Sequence, residues 1–350
     1  MNRFVFVAVL SLLICSCGGN TSKDVENGPA NEVLSKNVFE SLSLKYEKIS
    51  EFENGVAYVY DSNDRRGLID NKGNILLDCV YENILDLTDI WGVGYAKLNG
   101  AWGLFNKEHQ MITKCLYDSF RQPHDGLVSL SISNRSVYGA IDISDGTIVI
   151  PFEYENLGNY SEGLFAARIK EKGDYKAGYI DRNNQIVIPF IYSDAEDFSE
   201  GLAAVHKYEN KTLNTILGPV RSEKCGFINK KGEVVIPFKF KWQTETIKFS
   251  EGLCAIGTEN KSNMIYETNR NSFIDTKGNI VITGLFTNAE PFENGVARVE
   301  KNDKYGYINK KGEFIIPCTY DDYKIKDGCL CLVNKGVEYN FTYEGELIPD

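Results

Sequence analysis

From Tyr46 onward, short apolar runs alternate along the chain with clusters of Gly, Asn and Asp. The runs are four to six residues long, and many of their side chains are β-branched or aromatic. Runs of this length bounded by turn residues are typical of β-strands. The pattern therefore predicts an all-β domain over residues 46–350.

The apolar runs belong to a repeat. Its first signature is a Gly, an aliphatic pair, Asp or Asn, a short turn and a second apolar run, as in GFINKKGEVVIP from Gly226. Two runs flanking a short turn predict a β-hairpin. There are eight copies, and the last is degenerate. They start at Gly67, Gly103, Gly139, Gly178, Gly226, Ser272, Gly306 and Asn340.

A second signature precedes each copy of the first. It is an acidic residue or Asn, then Gly, then small and aliphatic residues, as in FSEGLAAV from Phe198 and FENGVARV from Phe292. Successive starts of the repeat lie 34 to 48 residues apart. The predicted units are 46–80, 81–116, 117–153, 154–191, 192–239, 240–285, 286–319 and 320–350.

The turn of each hairpin has its own chemistry. Asp or Asn opens it, and such a side chain can accept a hydrogen bond from the backbone two residues on. The turn tip is Gly in five copies, Asn184 in one and His109 in another, all residue types that tolerate positive φ. A Pro such as Pro237 is predicted to end the second strand, because Pro cannot donate to a ladder.

Aromatic-Gly pairs occupy the start of the hairpin at Trp102-Gly103, Tyr138-Gly139 and Tyr305-Gly306. Together with the EGLA-type strand and the IVIP ending, they make residues 46–350 resemble the bacterial WG-repeat (KWG) family. Arg66, Ala177, Cys225 and Asn271 replace the Trp in other copies. The resemblance implies a β-repeat fold. It gives little information about function.

One unit cannot bury its apolar face alone, so neighbouring units are expected to stack. Three or four strands in about 40 residues fit a propeller blade. The sequence therefore predicts a propeller-like array of about eight repeats. An open, twisted β-solenoid is the alternative, and whole repeats at both ends count against ring closure.

The N-terminus reads as an export signal. Arg3 supplies the positive region, and Phe4 to Ile14 supply an apolar run too short to span a bilayer. Ile14-Cys15-Ser16-Cys17 resembles the bacterial lipobox, which implies cleavage after Ser16 and a diacylglycerol on the Cys17 thiol. Residues 17–45 are predicted to be the lipidated Cys and a flexible tether, polar and rich in Gly, Asn and Ser. The location expected is the bacterial envelope, on the outer membrane.

Charge and composition limit the kinds of ligand and reaction that the chain is expected to have. A formal net charge of −11 argues against a general nucleic-acid binder, which needs a basic footprint. The three histidines, His109, His124 and His206, share no local spacing with Cys or with each other, so they predict solvated loops rather than a zinc site. Turn chemistry accounts for the recurrent Asp and Asn without a metal. The sequence indicates no cofactor, no phosphate-binding loop and no catalytic triad.

Seven cysteines follow Cys17. Six of them align with apolar or small positions of the repeat, which predicts mostly buried, unpaired thiols. Cys329 and Cys331 lie two apart on one strand and are poorly placed to bridge each other. Export would permit disulfides, so the alternative stays open.

Two long insertions stand out from the repeat. Between the second-signature Gly and the hairpin there are 25 positions from Gly201 and 20 from Gly252. Insertions at one place in consecutive units often mark a binding face. Residues 206–224 and 257–271 are therefore predicted to form partner-binding loops for an anionic glycan or an acidic protein; neutral loop drift is the alternative. The candidate contact residues are Lys207, Lys211, Arg221, Lys224, Lys261, Tyr266 and Arg270.

These observations favour a non-enzymatic binding or scaffold lipoprotein with a protein or glycan partner. The rival is an envelope hydrolase acting on glycans, with acidic residues in a cleft. An enzyme should show buried polar residues that break the repeat in one or two units and converge in space.

Overall fold

The computed structural model describes residues 36–132, 137–215, 218–241, 247–258, 270–326 and 328–349. Within these residues the chain forms two helices and 29 strands. The helices are α1 (Lys36–Lys45) and α2 (Thr88–Trp91). The strands are β1 (Lys48–Ile49), β2 (Val56–Tyr60), β3 (Arg66–Asp70), β4 (Ile75–Tyr81), β5 (Asn83–Leu85), β6 (Gly94–Leu98), β7 (Ala101–Phe105), β8 (Ser119–Phe120), β9 (Leu127–Ile132), β10 (Val137–Asp142), β11 (Ile148–Tyr154), β12 (Asn156–Ser161), β13 (Leu164–Glu171), β14 (Asp174–Ile180), β15 (Ile186–Tyr192), β16 (Asp194–Ala195), β17 (Leu202–Thr215), β18 (Gly218–Asn229), β19 (Val234–Lys241), β20 (Leu253–Thr258), β21 (Arg270–Asp275), β22 (Ile280–Phe286), β23 (Asn288–Ala289), β24 (Val296–Lys301), β25 (Lys304–Asn309), β26 (Phe314–Tyr320), β27 (Asp322–Lys326), β28 (Cys329–Asn334) and β29 (Val337–Phe341).

The strands form eight small antiparallel sheets of three or four strands each. Every sheet is an up-and-down meander in chain order, the build of a propeller blade. The sheets are numbered 1 to 8 along the chain: β1–β4, β5–β7, β8–β11, β12–β15, β16–β19, β20–β22, β23–β26 and β27–β29. Their order follows the predicted units, so the all-β fold with about eight blade-like repeats is confirmed.

The chain divides into two compact units. The described residues of the N-terminal unit lie in 36–207 and 230–233, and those of the C-terminal unit lie in 208–229 and 234–349. Sheets 1–4 lie in the first unit and sheets 6–8 in the second.

The core lies between consecutive sheets rather than within one. In the N-terminal unit, Leu127 and Ile150 of sheet 3 pack with Phe165 of sheet 4. In the C-terminal unit, Phe273 of sheet 6 packs with Phe292 and Ile308 in repeat 7. Apolar faces of neighbouring repeats therefore bury each other, as stacking of the repeats requires.

The hairpin turns confirm the sequence prediction. The Asp275 carboxylate, for example, accepts hydrogen bonds from the backbone N–H of Lys277 and Asn279 at 2.9 Å each. The tips lie in the left-handed region, with φ of 62° at Asn184 and 58° at His109 beside the glycines. Asx chemistry thus explains the recurrent Asp and Asn.

The prediction for the prolines is wrong. Pro151, Pro189, Pro237 and Pro317 lie inside the third long strand of their sheets, which continues for three or more residues beyond each. The pairing register shifts there: Phe227 pairs with Ile236, but Cys225 pairs with Phe240. Pro is accepted because it sits in a bulge, where no ladder donor is needed.

The bulge explains the Gly that starts each hairpin. A Cβ at Gly226 would lie 2.8 Å from the carbonyl oxygen of Ile236, and one at Gly306 would lie 2.5 Å from that of Ile316. Repeat 6 has Ser272 at this position and Gly284 across the bulge, where other repeats carry Phe or Cys. There a Cβ at residue 284 would lie 2.3 Å from the Asn271 carbonyl oxygen, so the glycine has moved to the other strand.

The acidic residue of the second signature joins neighbouring repeats. Both carboxylate oxygens of Glu251 accept the backbone N–H of Gly295 at 3.1 Å, and the Lys310 ammonium lies 3.0 Å away. Glu162 binds the N–H of Gly201 in the same way, at 3.0 and 3.1 Å. A repeated carboxylate thus connects each of these repeats to the next.

The predicted tether is corrected at its C-terminal end. Residues 36–45 form helix α1, because Val38, Leu42 and Tyr46 are spaced four apart and give one apolar side. Leu42 and Tyr46 are buried against Val59 and Ile69 of sheet 1. The described fold therefore includes ten residues that were assigned to the tether. Neither helix of the described residues has the length and apolar character needed to cross a membrane.

All seven cysteines in the described part of the chain are reduced thiols. Cys225, Cys254 and Cys331 are buried, and Cys79, Cys115, Cys318 and Cys329 are half-buried. Burial raises the pKa of the Cys318 thiol to about 11. A thiol held protonated in this way is a poor nucleophile, which agrees with the predicted packing role.

Candidate functional site

Most of the residues predicted to bind a partner fall where the structure describes no side chain. Cys17, Lys261 and Tyr266 lie outside the described residues. Lys211, Arg221 and Arg270 lie on strands β17, β18 and β21, and their side chains are outside the described part. The first insertion is mostly strand, because β17 runs to Thr215 and β18 begins at Gly218.

Two of the predicted residues, Lys207 and Lys224, have described surroundings. The Lys207 ammonium lies 5.0 Å from the centroid of the Tyr192 ring in the N-terminal unit. Lys224, in the C-terminal unit, lies opposite Lys241 in the pairing of β18 with β19. The partner-binding role of both remains a prediction.

The C-terminal unit holds an open pocket with a volume of about 930 Å³. This volume lies in the range of small-molecule sites, about 300–1,000 Å³. It is lined by residues of repeats 6, 7 and 8, among them Phe292, Tyr307 and Tyr343. Four cationic side chains, Lys248, Arg298, Lys324 and Lys326, and two carboxylates, Glu290 and Glu293, also line it.

Arg298 is the most constrained charge of the pocket. Its guanidinium carbon lies 3.3 Å from the centroid of the Tyr323 ring, and its Nη2 lies 3.2 Å from Glu290 Oε1. The Arg298 side chain is 16% exposed and that of Glu290 is 45% exposed. A stacked guanidinium with a fixed orientation is suited to binding a planar or tetrahedral anion.

Lys324 and Lys326 share one carboxylate. They lie two positions apart on β27, and both ammonium groups contact Glu338 on β29. The distance from Lys326 Nζ to Glu338 Oε2 is 2.7 Å. These hydrogen bonds lower the pKa of Glu338 to about 2. With Glu338 included, four cations face three carboxylates, so the pocket keeps one net positive charge on a chain of formal charge −11.

Comparison of the repeats marks Arg298 as an exception. Other repeats place Tyr58, Tyr95, Ser129, Ala166, Ala204, Ala255 and Cys331 at the equivalent strand position. Sequence reasoning missed this signal, although the Arg is visible in FENGVARV. Lys324 and Lys326 were missed because repeat 8 has no clear second signature.

A second polar cluster lies in the N-terminal unit. Burial raises the pKa of Glu196 to about 7, and the carboxylates of Asp194 and Asp197 act in the same direction. Burial also raises the pKa of Asp197, although Asp197 Oδ2 accepts the Asn159 N–H at 3.1 Å. Asp197 occupies the space that a side chain at Gly158 would take, so its carboxylate has a packing role.

The prediction of three solvated histidines holds for one of them. His124 is exposed, but His206 on β17 is 1% exposed, and burial lowers its pKa to about 4. His109 keeps its place at a turn tip, where its Nε2 lies 2.8 Å from Asp86 Oδ2. The prediction failed because a solvent-facing turn and a buried strand position look alike in a single sequence.

The described residues contain no group of three or more His, Cys, Asp or Glu side chains arranged to hold a metal ion. The Asp86–His109 pair, with the Thr88 hydroxyl donating to Asp86 at 2.7 Å, is a local cluster of turn and helix residues. The side chains that line the pocket of repeats 6–8 can bind a ligand through hydrogen bonds and charge.

The WG-containing repeat family matches seven segments, which together cover more than half of the chain. The segments are 67–100, 102–130, 138–172, 178–211, 226–261, 272–305 and 305–336. No curated protein sequence matches the chain.

Solved structures give weak likenesses. BamB from Moraxella catarrhalis has a TM-score of 0.43 and 9% identity, over 85% of this chain and 91% of that one. Apo AztD from Citrobacter koseri gives 0.42 and 12%, over 86% and 92%. The β-propeller domain of the Trilobed protease from Pyrococcus furiosus gives 0.43 and 10%, over 86% and 96%. Likenesses at this level say nothing about what this chain binds.

Proposed function

Since the chain belongs to the family of WG-containing repeat proteins, we propose that it is a non-catalytic binding or scaffold module held at a bacterial envelope by a lipid on Cys17. One observation carries the binding role. The repeat explains the turn Asp and Asn residues and the thiols structurally, whereas Arg298, a cation at a position of small or aromatic residues, lies at one open pocket of repeats 6–8 with three lysines. An open pocket lined by charges in fixed positions favours ligand recognition.

The anchor rests on the sequence Ile14-Cys15-Ser16-Cys17 and on the polar stretch that follows. Several acyl chains at about 0.8 kcal/mol per buried methylene would hold the protein on a membrane. Metabolic labelling with an alkynyl fatty acid is expected to label the wild-type protein, and membranes should retain it after a high-salt wash. The Cys17→Ser variant should lose both properties; retention of the label would contradict the anchor.

The binding role is tested by cross-linking the acylated protein in its native membrane and isolating it. The matched comparison is the Lys324→Met, Lys326→Met variant, which removes two pocket cations from exposed or half-exposed positions. A partner that is captured by the wild type and lost from the variant supports the proposal. Equal capture by both proteins argues against the pocket as the binding site.

Glycan hydrolysis is the second candidate, and Glu196 is the observation in its favour. A carboxyl group with a pKa near 7 beside Asp194 has the property of a general acid at neutral pH. Release of reducing sugar from envelope glycans by the wild type, but not by Glu196→Gln, would establish this activity. Under the binding proposal, neither protein releases sugar.

A further inference from the structure

We propose that the pocket of repeats 6–8 binds a sugar-sized ligand that carries a carboxylate or a phosphate. This inference rests on the binding role proposed above and specifies its ligand class. The pocket has a volume of about 930 Å³ and lies within the C-terminal unit.

Arg298 is held in an orientation that can bind an oxyanion. Tyr323 supports one face of its guanidinium, and Glu290 occupies one of its nitrogens at 3.2 Å. Glu290 is the more exposed partner, at 45% against 16% for Arg298. An oxyanion from a ligand can therefore replace Glu290 while the guanidinium stays in place. Arg donors in a fixed fork favour carboxylate and phosphate over neutral groups.

Three lysines add further positive charge to the pocket. Lys324 and Lys326 share one carboxylate, Glu338. Lys326 also donates to Asn340 Oδ1 at 3.4 Å, and the exposed Lys248 lies at the same pocket. The ammonium groups can therefore contact a second oxygen of the ligand. One surplus positive charge on an acidic chain favours a small anion over a polyanion such as nucleic acid.

The uncharged part of the pocket wall suits a sugar ring. Phe292 and Tyr307 line the pocket but are only 1% and 7% exposed, so the half-buried ring of Tyr343 is the aromatic surface that a ligand can contact. Aromatic rings with polar neighbours bury the C–H face of a sugar ring, while its hydroxyl groups find hydrogen-bond partners. Carboxylated and phosphorylated sugars share this combination of an oxyanion and a ring.

The test is isothermal titration calorimetry on the full-length acylated protein in detergent micelles at low salt. The probes are glucuronate, glucose 6-phosphate and glucose, and the first two distinguish the carboxylate from the phosphate source. At least one anionic sugar is expected to bind about tenfold or more tighter than glucose, and added salt should weaken that binding. Equal binding of glucose, or no binding by either anionic sugar, overturns the inference.

Two variants act in opposite directions. Lys326→Met removes a cation and should weaken binding of the anionic sugar about tenfold, as expected for loss of a charge-assisted hydrogen bond. Glu290→Gln removes the competitor for Arg298 and should strengthen binding, a gain that a purely structural role of Glu290 would not produce. Lys277→Met, on an exposed hairpin turn, is the matched control and should change nothing.

Thermal unfolding of each variant identifies any loss of fold, and Arg298→Lys provides a second variant that keeps the charge but removes the fork. If Lys326→Met and Glu290→Gln are folded and both bind as the wild type does, the inference is wrong. If no anionic sugar binds but partner capture still depends on the pocket, the ligand class is wrong and the binding role stands. If no anionic sugar binds and partner capture does not depend on the pocket, both proposals are wrong.

Discussion

At the scale of single residues, the most demanding position of the repeat is the glycine at the start of the hairpin. The opposite strand bulges toward it, so that a Cβ at Gly226 or Gly306 would lie within 2.8 Å of a carbonyl oxygen. Repeat 6 meets the same demand by another route, with Ser272 on one strand and Gly284 on the other. The repeat thus conserves the space at the bulge rather than the residue.

Alanine substitutions at Gly226 and Ser272, which are equivalent positions of the repeat, should lower stability by different amounts. Gly226→Ala places a Cβ against the Ile236 carbonyl oxygen and should lower the free energy of unfolding by about 1–3 kcal/mol. Ser272→Ala keeps the Cβ that this position already accommodates and removes an acceptor 3.4 Å from the Gly284 nitrogen, so it should cost at most about 1 kcal/mol. Urea unfolding of both variants checks the prediction, and an equal loss of stability would contradict it.

The Glu196 carboxyl predicts a pH dependence of stability. Its pKa is about 7 in the folded protein against the ordinary 4.5, so the folded state binds more protons between these values and stability falls as pH rises through them. The gain from Glu196→Gln should therefore be small near pH 4.5 and reach up to about 3 kcal/mol above pH 7.

Urea unfolding of the wild type and Glu196→Gln across this pH range measures that difference. His206, whose lowered pKa acts with the opposite sign, is present in both proteins and cancels. Glu108→Gln, at an exposed turn residue, is the control. Parallel stability curves for the wild type and Glu196→Gln would show that Glu196 titrates normally.

At the scale of elements, the second signature holds consecutive repeats together. Glu251→Ala removes both acceptors of the Gly295 N–H and the partner of Lys310, so stability should fall by about 1–2 kcal/mol. Glu108→Ala should leave stability unchanged within about 0.5 kcal/mol. Chemical denaturation measures both variants; an equal response would mean that the Glu251 contact contributes nothing.

The sequence predicted the elements whose cause is local. The Asx turns, the positive φ at Asn184 and His109 and the hairpins all follow from a few neighbouring residues. The sequence did not predict the strands that continue past proline, because the bulge depends on the partner strand. It also could not separate buried from exposed apolar residues: Val234 is 50% exposed, whereas Ile236 two positions on is buried.

At the scale of the whole molecule, all seven cysteines of the described chain are thiols, and six of them occupy apolar or small positions of the repeat. Alkylation in denaturant without reductant should add seven labels to them, whereas native alkylation should be slow at Cys225, Cys254 and Cys331. Mass spectrometry counts the labels. A count of one would show that the cysteines pair into disulfides.

The candidate pocket was beyond single-sequence reasoning for a physical reason. Arg298, Lys326 and Glu338 come from three strands in two repeats, and their proximity depends on how those repeats pack. The sequence directed attention to the long insertions, whose length is visible without a fold. The one sign of the pocket in the sequence is Arg298, which stands at a repeat position that holds small or aromatic residues in the other repeats.

If the pocket of repeats 6–8 is the place where this protein recognises its ligand, a bound anionic sugar must change that part of the backbone. Hydrogen–deuterium exchange of the full-length acylated protein, with and without a saturating anionic sugar, measures this change. Added protection is expected in β23, β24, β27 and β28, together with its loss in the Lys326→Met variant. Protection confined to other repeats, or none at saturation, would show that the ligand is recognised elsewhere or not at all.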